Sequence, residues 1–132
     1  MPHAAILYAE DDPVLRHAVT EVLEAEGWSV YACADGIAAM NRIAGGFAYD
    51  LLLFDNDLPG ASGLKLTRYA RSLPIYRVTP IIMVSATDCH AEARGAGADL
   101  FLSKPEGIAG LVDAVRRLTA VPRPSPPRGE LF

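Results

Sequence analysis

The chain has little of what several large protein classes require. It contains only two cysteines, Cys33 and Cys89, far apart and without any C-x-x-C or Cys/His ligand spacing. A disulfide framework and a thiolate zinc site are therefore not expected, and free thiols in a reducing compartment are. No apolar run approaches the roughly 20 residues of a membrane span, and no basic segment followed by a signal-length apolar stretch opens the chain. A cytoplasmic location is the expectation. Basic excess is also missing: the formal net charge is −4, with acidic and basic residues interspersed, so the electrostatic footprint of direct nucleic-acid or membrane binding is absent. The three histidines, His3, His17 and His90, pair with no visible nucleophile. Gly45-Gly46 and Gly95-Ala96-Gly97 lack the companions of a phosphate-binding glycine loop and read as helix ends.

What is present is an apolar content of 51% in 132 residues, enough for one real core and too short for two ordinary domains. Short apolar runs alternate with longer amphipathic ones, the pattern of repeated βα units around a parallel sheet. Ala5 to Ala9 is the first strand. Asp12 and Pro13 supply an N-cap and a first-turn proline for a helix to about Glu26, with Val14, Ala18, Val22, Leu15, Val19 and Leu23 as its expected buried stripe. Ser29 to Ala32 forms a second strand, and Asp35 caps a helix through Ile37, Met40 and Ile43. Leu51 to Phe54 is apolar on both faces, as a central parallel strand should be. A helix carrying Leu64, Leu66, Tyr69, Ala70 and Leu73 follows, then strands at Ile81 to Val84 and Leu100 to Leu102, and a final helix marked by Ile108, Leu111, Val112, Val115 and Leu118. The domain is expected over residues 1–120. The proline-rich run from Pro122 onward, residues 121–132, is expected to be a disordered tail.

Open α/β sheets bind ligands beyond the carboxyl ends of their strands. There this sequence places Glu10 and Asp11 after the first strand, Asp55 after the third, Ser85 after the fourth and Lys104 after the fifth. Each has an ordinary reading taken singly, since acids cap helices, serines start loops and Lys-Pro closes strands. Jointly, three carboxylates without a cation repel one another, so their convergence points to a bound metal or to a catalytic cluster with shifted pKa values. All-oxygen, hard ligands favour Mg²⁺ over zinc or copper.

These residues lie in Leu-Tyr-Ala-Glu-Asp-Asp, Leu-Phe-Asp-Asn-Asp-Leu-Pro-Gly, Ser85 and Lys104-Pro105, and over roughly Ala5 to Leu118 the chain resembles the receiver domain of two-component response regulators. The resemblance implies a flavodoxin-like, doubly wound, five-stranded parallel sheet of order 2-1-3-4-5 with helices on both faces. It implies that Asp55 is the phosphorylated nucleophile, that Ser85 is the assisting hydroxyl, that Lys104 precedes a proline usually joined in cis, and that Phe101 is the aromatic switch. For Mg²⁺ it implies Asp11 and Asp55 as direct ligands, Glu10 directly or through water, and the backbone carbonyl of Asp57. The partners implied are a histidine kinase or phosphotransfer protein and a downstream protein. Such a domain is not an enzyme toward other substrates and catalyses only its own phosphorylation and dephosphorylation.

Two alternatives share part of this chemistry. A haloacid-dehalogenase-like phosphatase is suggested by the Asp55-Asn56-Asp57 spacing, but there the nucleophile follows the first strand. A degenerate receiver would keep the fold as a binding module without phosphorylation. The chain departs from the family pattern in Glu10, where aspartate is commoner, and in the acid at Asp57. From Ser85 to Lys104 it is also about three residues, close to one helical turn, shorter. A shortened fourth helix is therefore expected, and with it a monomer or weak homodimer.

Overall fold

The computed structural model describes residues 4–120. His3 and the proline-rich tail, 121–132, lie outside the described residues, so the expectation for that tail is untouched.

Strands β1 (Ala5–Ala9), β2 (Ser29–Cys33), β3 (Leu51–Asp55), β4 (Ile81–Ser85) and β5 (Leu100–Ser103) form one parallel sheet in the order β2-β1-β3-β4-β5. They are joined by helices α1 (Pro13–Ala25), α2 (Gly36–Ala44), α3 (Gly63–Ser72) and α4 (His90–Ala96), with α5 (Leu111–Ala120) last. The parallel sheet is the one that the alternating pattern implies, and its doubly wound, flavodoxin-like order is the one that the resemblance implies.

Strand β3 shows why the sheet holds. All five of its residues are buried, and successive side chains feed opposite cores. Leu52 and Phe54 pack with α2 and α3 residues such as Ile43 and Leu66, while Leu51 and Leu53 pack with Val19 and Leu23 of α1 and Val115 of α5. Strand β1 divides likewise, Leu7 and Ala9 to one side and Ile6 and Tyr8 to the other. A register slip of one residue would exchange these sets, so the register is tightly specified.

The structure corrects the first helix. Only Val19 and Leu23 of α1 are buried; Leu15 is half-buried, Ala18 is exposed, and Val14 and Val22 are 78% and 52% exposed. At about 100° per residue, Val22 sits a quarter-turn from Leu23 and leaves the inward stripe. It lines, with Leu15, Ala18 and Val112, a groove of about 300 Å³ between α1 and α5. Ile108 is corrected too: it lies in a 3-10 turn, Glu106–Gly110, and α5 proper begins at Leu111. Strands β2, β3, β4 and β5 each run one residue further than their apolar runs indicate.

Helix α4 is indeed short, seven residues, opened by Cys89 without a side-chain cap and closed by Gly97 in the left-handed conformation, φ +111°. A Cβ at Gly97 would in addition meet Arg71 Cγ at 2.8 Å.

Candidate functional site: an acidic pocket closed by a lysine

The pocket is built where strands end. Glu10 follows β1 directly; its own N–H donates to the Cys33 carbonyl of β2 (3.0 Å), which fixes the chain as it leaves the sheet. Asp12 then turns its carboxylate to the N–H groups of Val14 and Leu15, capping α1. Of the three consecutive acids, the third is thus spent on the helix, and Glu10 and Asp11 remain. Arg16, one turn into α1, donates to the carbonyls of Glu10 (2.9 Å) and Asp11 (3.4 Å) and steadies the loop.

Asp55 closes β3 and is buried at 2% exposure. Its loop is held by backbone contact with α3: a Cβ at Gly63 would lie 2.8 Å from the Asp55 carbonyl oxygen, so only glycine fits there. Asn56 extends the same join, its side-chain oxygen accepting from the Leu64 N–H at 3.0 Å. Lys104 reaches in from the loop after β5, and its preceding backbone is tied to β4 by Lys104 N–H donating to the Ser85 carbonyl, 2.9 Å. The Lys104-Pro105 peptide is cis, as the resemblance implied.

The side chains meet. Lys104 Nζ donates to Glu10 Oε1 at 3.0 Å and lies 3.3 Å from Asp55 Oδ2. One carboxylate oxygen each from Glu10, Asp11 and Asp55 lie within 4.8 Å of one another. Glu10 is 2% exposed while Asp11 faces solvent, so the cluster has a wet side and a dry one. Burial raises the Glu10 carboxyl above its usual range, opposed by the Asp12 N–H and Lys104. For Lys104, burial pulls the ammonium down, but Glu10 and Asp55 outweigh it and the net direction is up. Tyr8, buried on β1, is pushed far up, first by burial and then by the negative charge of Glu10 and Asp55.

Ions of Mg²⁺ size bind oxygens at about 2.1 Å, with cis neighbours about 3.0 Å and trans neighbours about 4.2 Å apart. At most one pair of the three carboxylate oxygens can be trans, and all three lie within 4.8 Å of one another, a spacing that side-chain rotation can close onto a single ion; hard oxygen donors suit that ion. The residues therefore fit a magnesium site.

Of the remaining expected residues, Ser85 is fully buried at the end of β4. Its hydroxyl donates to Asp57 Oδ2 (3.3 Å) and accepts from the Thr87 N–H (3.1 Å). Asp57 gives its N–H to Asp55 Oδ1 at 3.2 Å, and its exposed carboxylate goes to Ser85 and takes no part in the carboxylate cluster. Phe101 is half-buried on β5, and the His90 ring lies over it, centroids 5.7 Å apart and planes within 14°. No local sequence pattern singles out the roles of Tyr8, Arg16, Asn56 or the His90 stack. Arg16 and Asn56 reach their partners through loop geometry that carries no sequence signal, whereas Tyr8 stands two residues before Glu10 on the same strand end.

Fold and pocket together define a doubly wound domain with an acidic, metal-competent cluster at the carboxyl edge of its sheet and a lysine across from it. The chain belongs to the response regulator receiver domain family, whose sequence model matches residues 6–116. Among its relatives are the alkaline phosphatase synthesis transcriptional regulatory protein SphR of Synechococcus elongatus, 36% identical over 89% of this chain and 49% of that protein, and the response regulator protein PmrA of Pseudomonas aeruginosa, 37% identical over 86% and 52%. The chain thus spans about half the length of these relatives. Among solved structures, the chemotaxis response regulator CheY4 of Vibrio cholerae superposes with a TM-score of 0.81 at 26% identity, covering 89% of this chain and 99% of that one. The receiver domain of the sensor histidine kinase PA1611 of Pseudomonas aeruginosa, which holds a magnesium ion in its active site cleft, gives 0.80 at 30% identity, covering 91% and 100%. Among the described residues no helix is long and apolar enough to cross a membrane.

Proposed function

We propose that the chain is a phosphorylation-controlled switch in which Asp55 accepts a phosphoryl group from a histidine kinase or phosphotransfer protein. The observation that supports this best is the convergence of Asp55, the carboxylates of Glu10 and Asp11, and Lys104 Nζ, 3.3 Å from Asp55, in one pocket. An Asp55 carboxylate oxygen attacks phosphorus in line; the bond from phosphorus to the donor's imidazole nitrogen breaks, and its electron pair leaves with the imidazole. Lys104 neutralises charge on the equatorial oxygens, and Ser85 donates its hydroxyl proton to one of them. Glu10, Asp11, Asp55 and the Asp57 carbonyl hold Mg²⁺, which supplies further charge neutralisation. The domain acts catalytically only on its own phosphoryl group.

In this reading Ser85 moves toward the phosphoryl oxygen and Phe101 turns into the space released, which alters the α4–β5 surface for a downstream protein. Names such as transcriptional regulator among the relatives make an output partner that controls transcription the reasonable target, with no direct nucleic-acid contact by this domain.

The test is incubation with Mg²⁺ and acetyl phosphate or a phosphorylated kinase, followed by mass mapping. A base-labile adduct on Asp55, lost in Asp55→Asn and in EDTA, supports the switch. Turnover of many phosphate esters would identify a phosphatase instead, and a folded chain with no label on Asp55 would leave a binding module.

A further inference from the structure

The hydroxyl of Ser85 faces Asp57 in this structure, and not Asp55. A hydroxyl has one proton to donate. Ser85 gives it to Asp57 Oδ2 at 3.3 Å, while the Thr87 N–H donates to Ser85 Oγ at 3.1 Å. The Cys89 thiol also lies against it, and burial holds that thiol in its neutral form, so it is the weaker acceptor. Both Asp55 oxygens have other partners: Oδ1 accepts from the Asp57 N–H at 3.2 Å and Oδ2 faces Lys104 Nζ at 3.3 Å. One loop residue, Asp57, thus bridges two strand ends, its backbone on β3's acid and its carboxylate on β4's hydroxyl.

We propose that the Asp57 carboxylate is a positioning residue that restrains the Ser85 hydroxyl in the unphosphorylated state. This rests on the phosphoacceptor reading of Asp55. A phosphoryl group on Asp55 must win the single proton of Ser85 from an existing anionic acceptor. Asp57 therefore sets how far the hydroxyl side of the switch lies toward its inactive arrangement. The exchange is between two acceptors of one donor, so no bond other than the hydrogen bond is made or broken.

A simpler effect acts in the same direction: the Asp57 charge repels any anion bound at Asp55. The two are separable, because repulsion does not need the serine. In the full chain with saturating Mg²⁺, the affinity for beryllofluoride, a phosphoryl mimic, is measured for wild type, Asp57→Ala, Ser85→Ala and the double variant. The restraint predicts that Asp57→Ala tightens binding about threefold to tenfold, the range of one net hydrogen bond, and that this gain vanishes when Ser85 is already alanine. It also predicts that Asp57→Asn, which keeps an acceptor but loses the charge, gains less than Asp57→Ala. In the mimic-free protein, the Thr87 amide resonance of Asp57→Ala should shift toward its position in mimic-bound wild type. Equal gains with and without Ser85, or an Asn variant equal to the Ala variant, would assign the effect to repulsion and overturn the restraint. A wild type that does not bind the mimic at all would overturn the phosphoacceptor reading as well.

Discussion

Replacing Lys104 by alanine tests the electrostatics of the pocket most directly. Lys104 Nζ stands 3.0 Å from Glu10 and 3.3 Å from Asp55, both 2% exposed on their side chains, while its own side chain is 19% exposed. Removing one member of a buried ion pair costs roughly 3–5 kcal/mol, because the partner is left as an uncompensated buried charge. The residual exposure of Lys104 places the expected loss at the low end, about 3 kcal/mol without metal. For a domain of this size that lowers Tm by about 12 °C, at about 4 °C per kcal/mol. Mg²⁺ replaces the missing positive charge at the same oxygens, so its binding should tighten by about tenfold and recover more than 1 kcal/mol of the loss. The pH dependence has a fixed sign. Burial already raises the Glu10 carboxyl, and losing Lys104 raises it further, so the folded protein takes up that proton more readily than the unfolded chain. The penalty is therefore full above the folded pKa of Glu10 and shrinks as pH falls through it. Urea unfolding followed by the single tryptophan, Trp28, in EDTA and in Mg²⁺ at pH 8 and pH 5, measures each quantity. A metal-free loss below about 1 kcal/mol, or a Mg²⁺ increment no larger than in wild type, would refute the reasoning.

Three further outcomes follow from contacts around the pocket. Arg71 donates to the carbonyls of Gly97 (2.9 Å), Tyr76 and Thr79 (both 2.7 Å) and to Asp99 (2.8 Å), so Arg71→Ala should cost about 2–4 kcal/mol in urea unfolding, and Arg71→Lys should restore little of it. A loss under about 1 kcal/mol would mean that water replaces these bonds. Gly63→Ala forces a Cβ against the Asp55 and Asn56 backbone and should cost about 1–3 kcal/mol while slowing phosphorylation of Asp55; unchanged melting and labelling would show that the α3 junction yields freely. Burial raises the thiols of Cys33 and Cys89 and the phenol of Tyr8, so the unfolded chain loses those protons first, and stability should fall as pH rises above the ordinary thiol value of 9.0. Urea midpoints that stay level from pH 8 to pH 10 would contradict that burial.

The elements that the sequence disclosed most clearly are those whose residues answer to one requirement. Leu51 to Phe54 is apolar throughout because it is covered on both faces, and the residue that follows must emerge at the carboxyl edge of the sheet. Glu10, Asp55 and Ser85 are legible for the same reason, since a polar residue ending an apolar run marks the strand end as well as the chemistry, and Lys104 stands directly after β5. In helix α1 the apolar residues answer to two requirements. Val19 and Leu23 meet the sheet, whereas Ala18 and Val22 line the groove toward α5, and periodicity alone does not separate them. Partners fixed by tertiary geometry were not legible at all. That Arg71 clasps three carbonyls, and that the Asp57 carboxylate goes to Ser85, depends on loops whose paths no local pattern encodes.

The shortened fourth helix gains meaning from how its two ends are held. With seven residues and only Ala93 and Ala96 buried, α4 has little packing of its own to fix it. Its amino end is tied to the site: Asp88 accepts from the His90 N–H at 3.3 Å, the His90 ring lies on Phe101, and the Cys89 thiol lies against Ser85. Its carboxyl end is tied elsewhere, because Arg71 of α3 donates to the Gly97 carbonyl and pairs with Asp99, whose carboxylate also accepts from the Ile81 N–H at the start of β4. A displacement of Ser85 or Phe101 therefore acts on one end of a short, lightly packed helix whose other end is anchored to the sheet. A longer helix would spread the same displacement over additional packed turns and resist it.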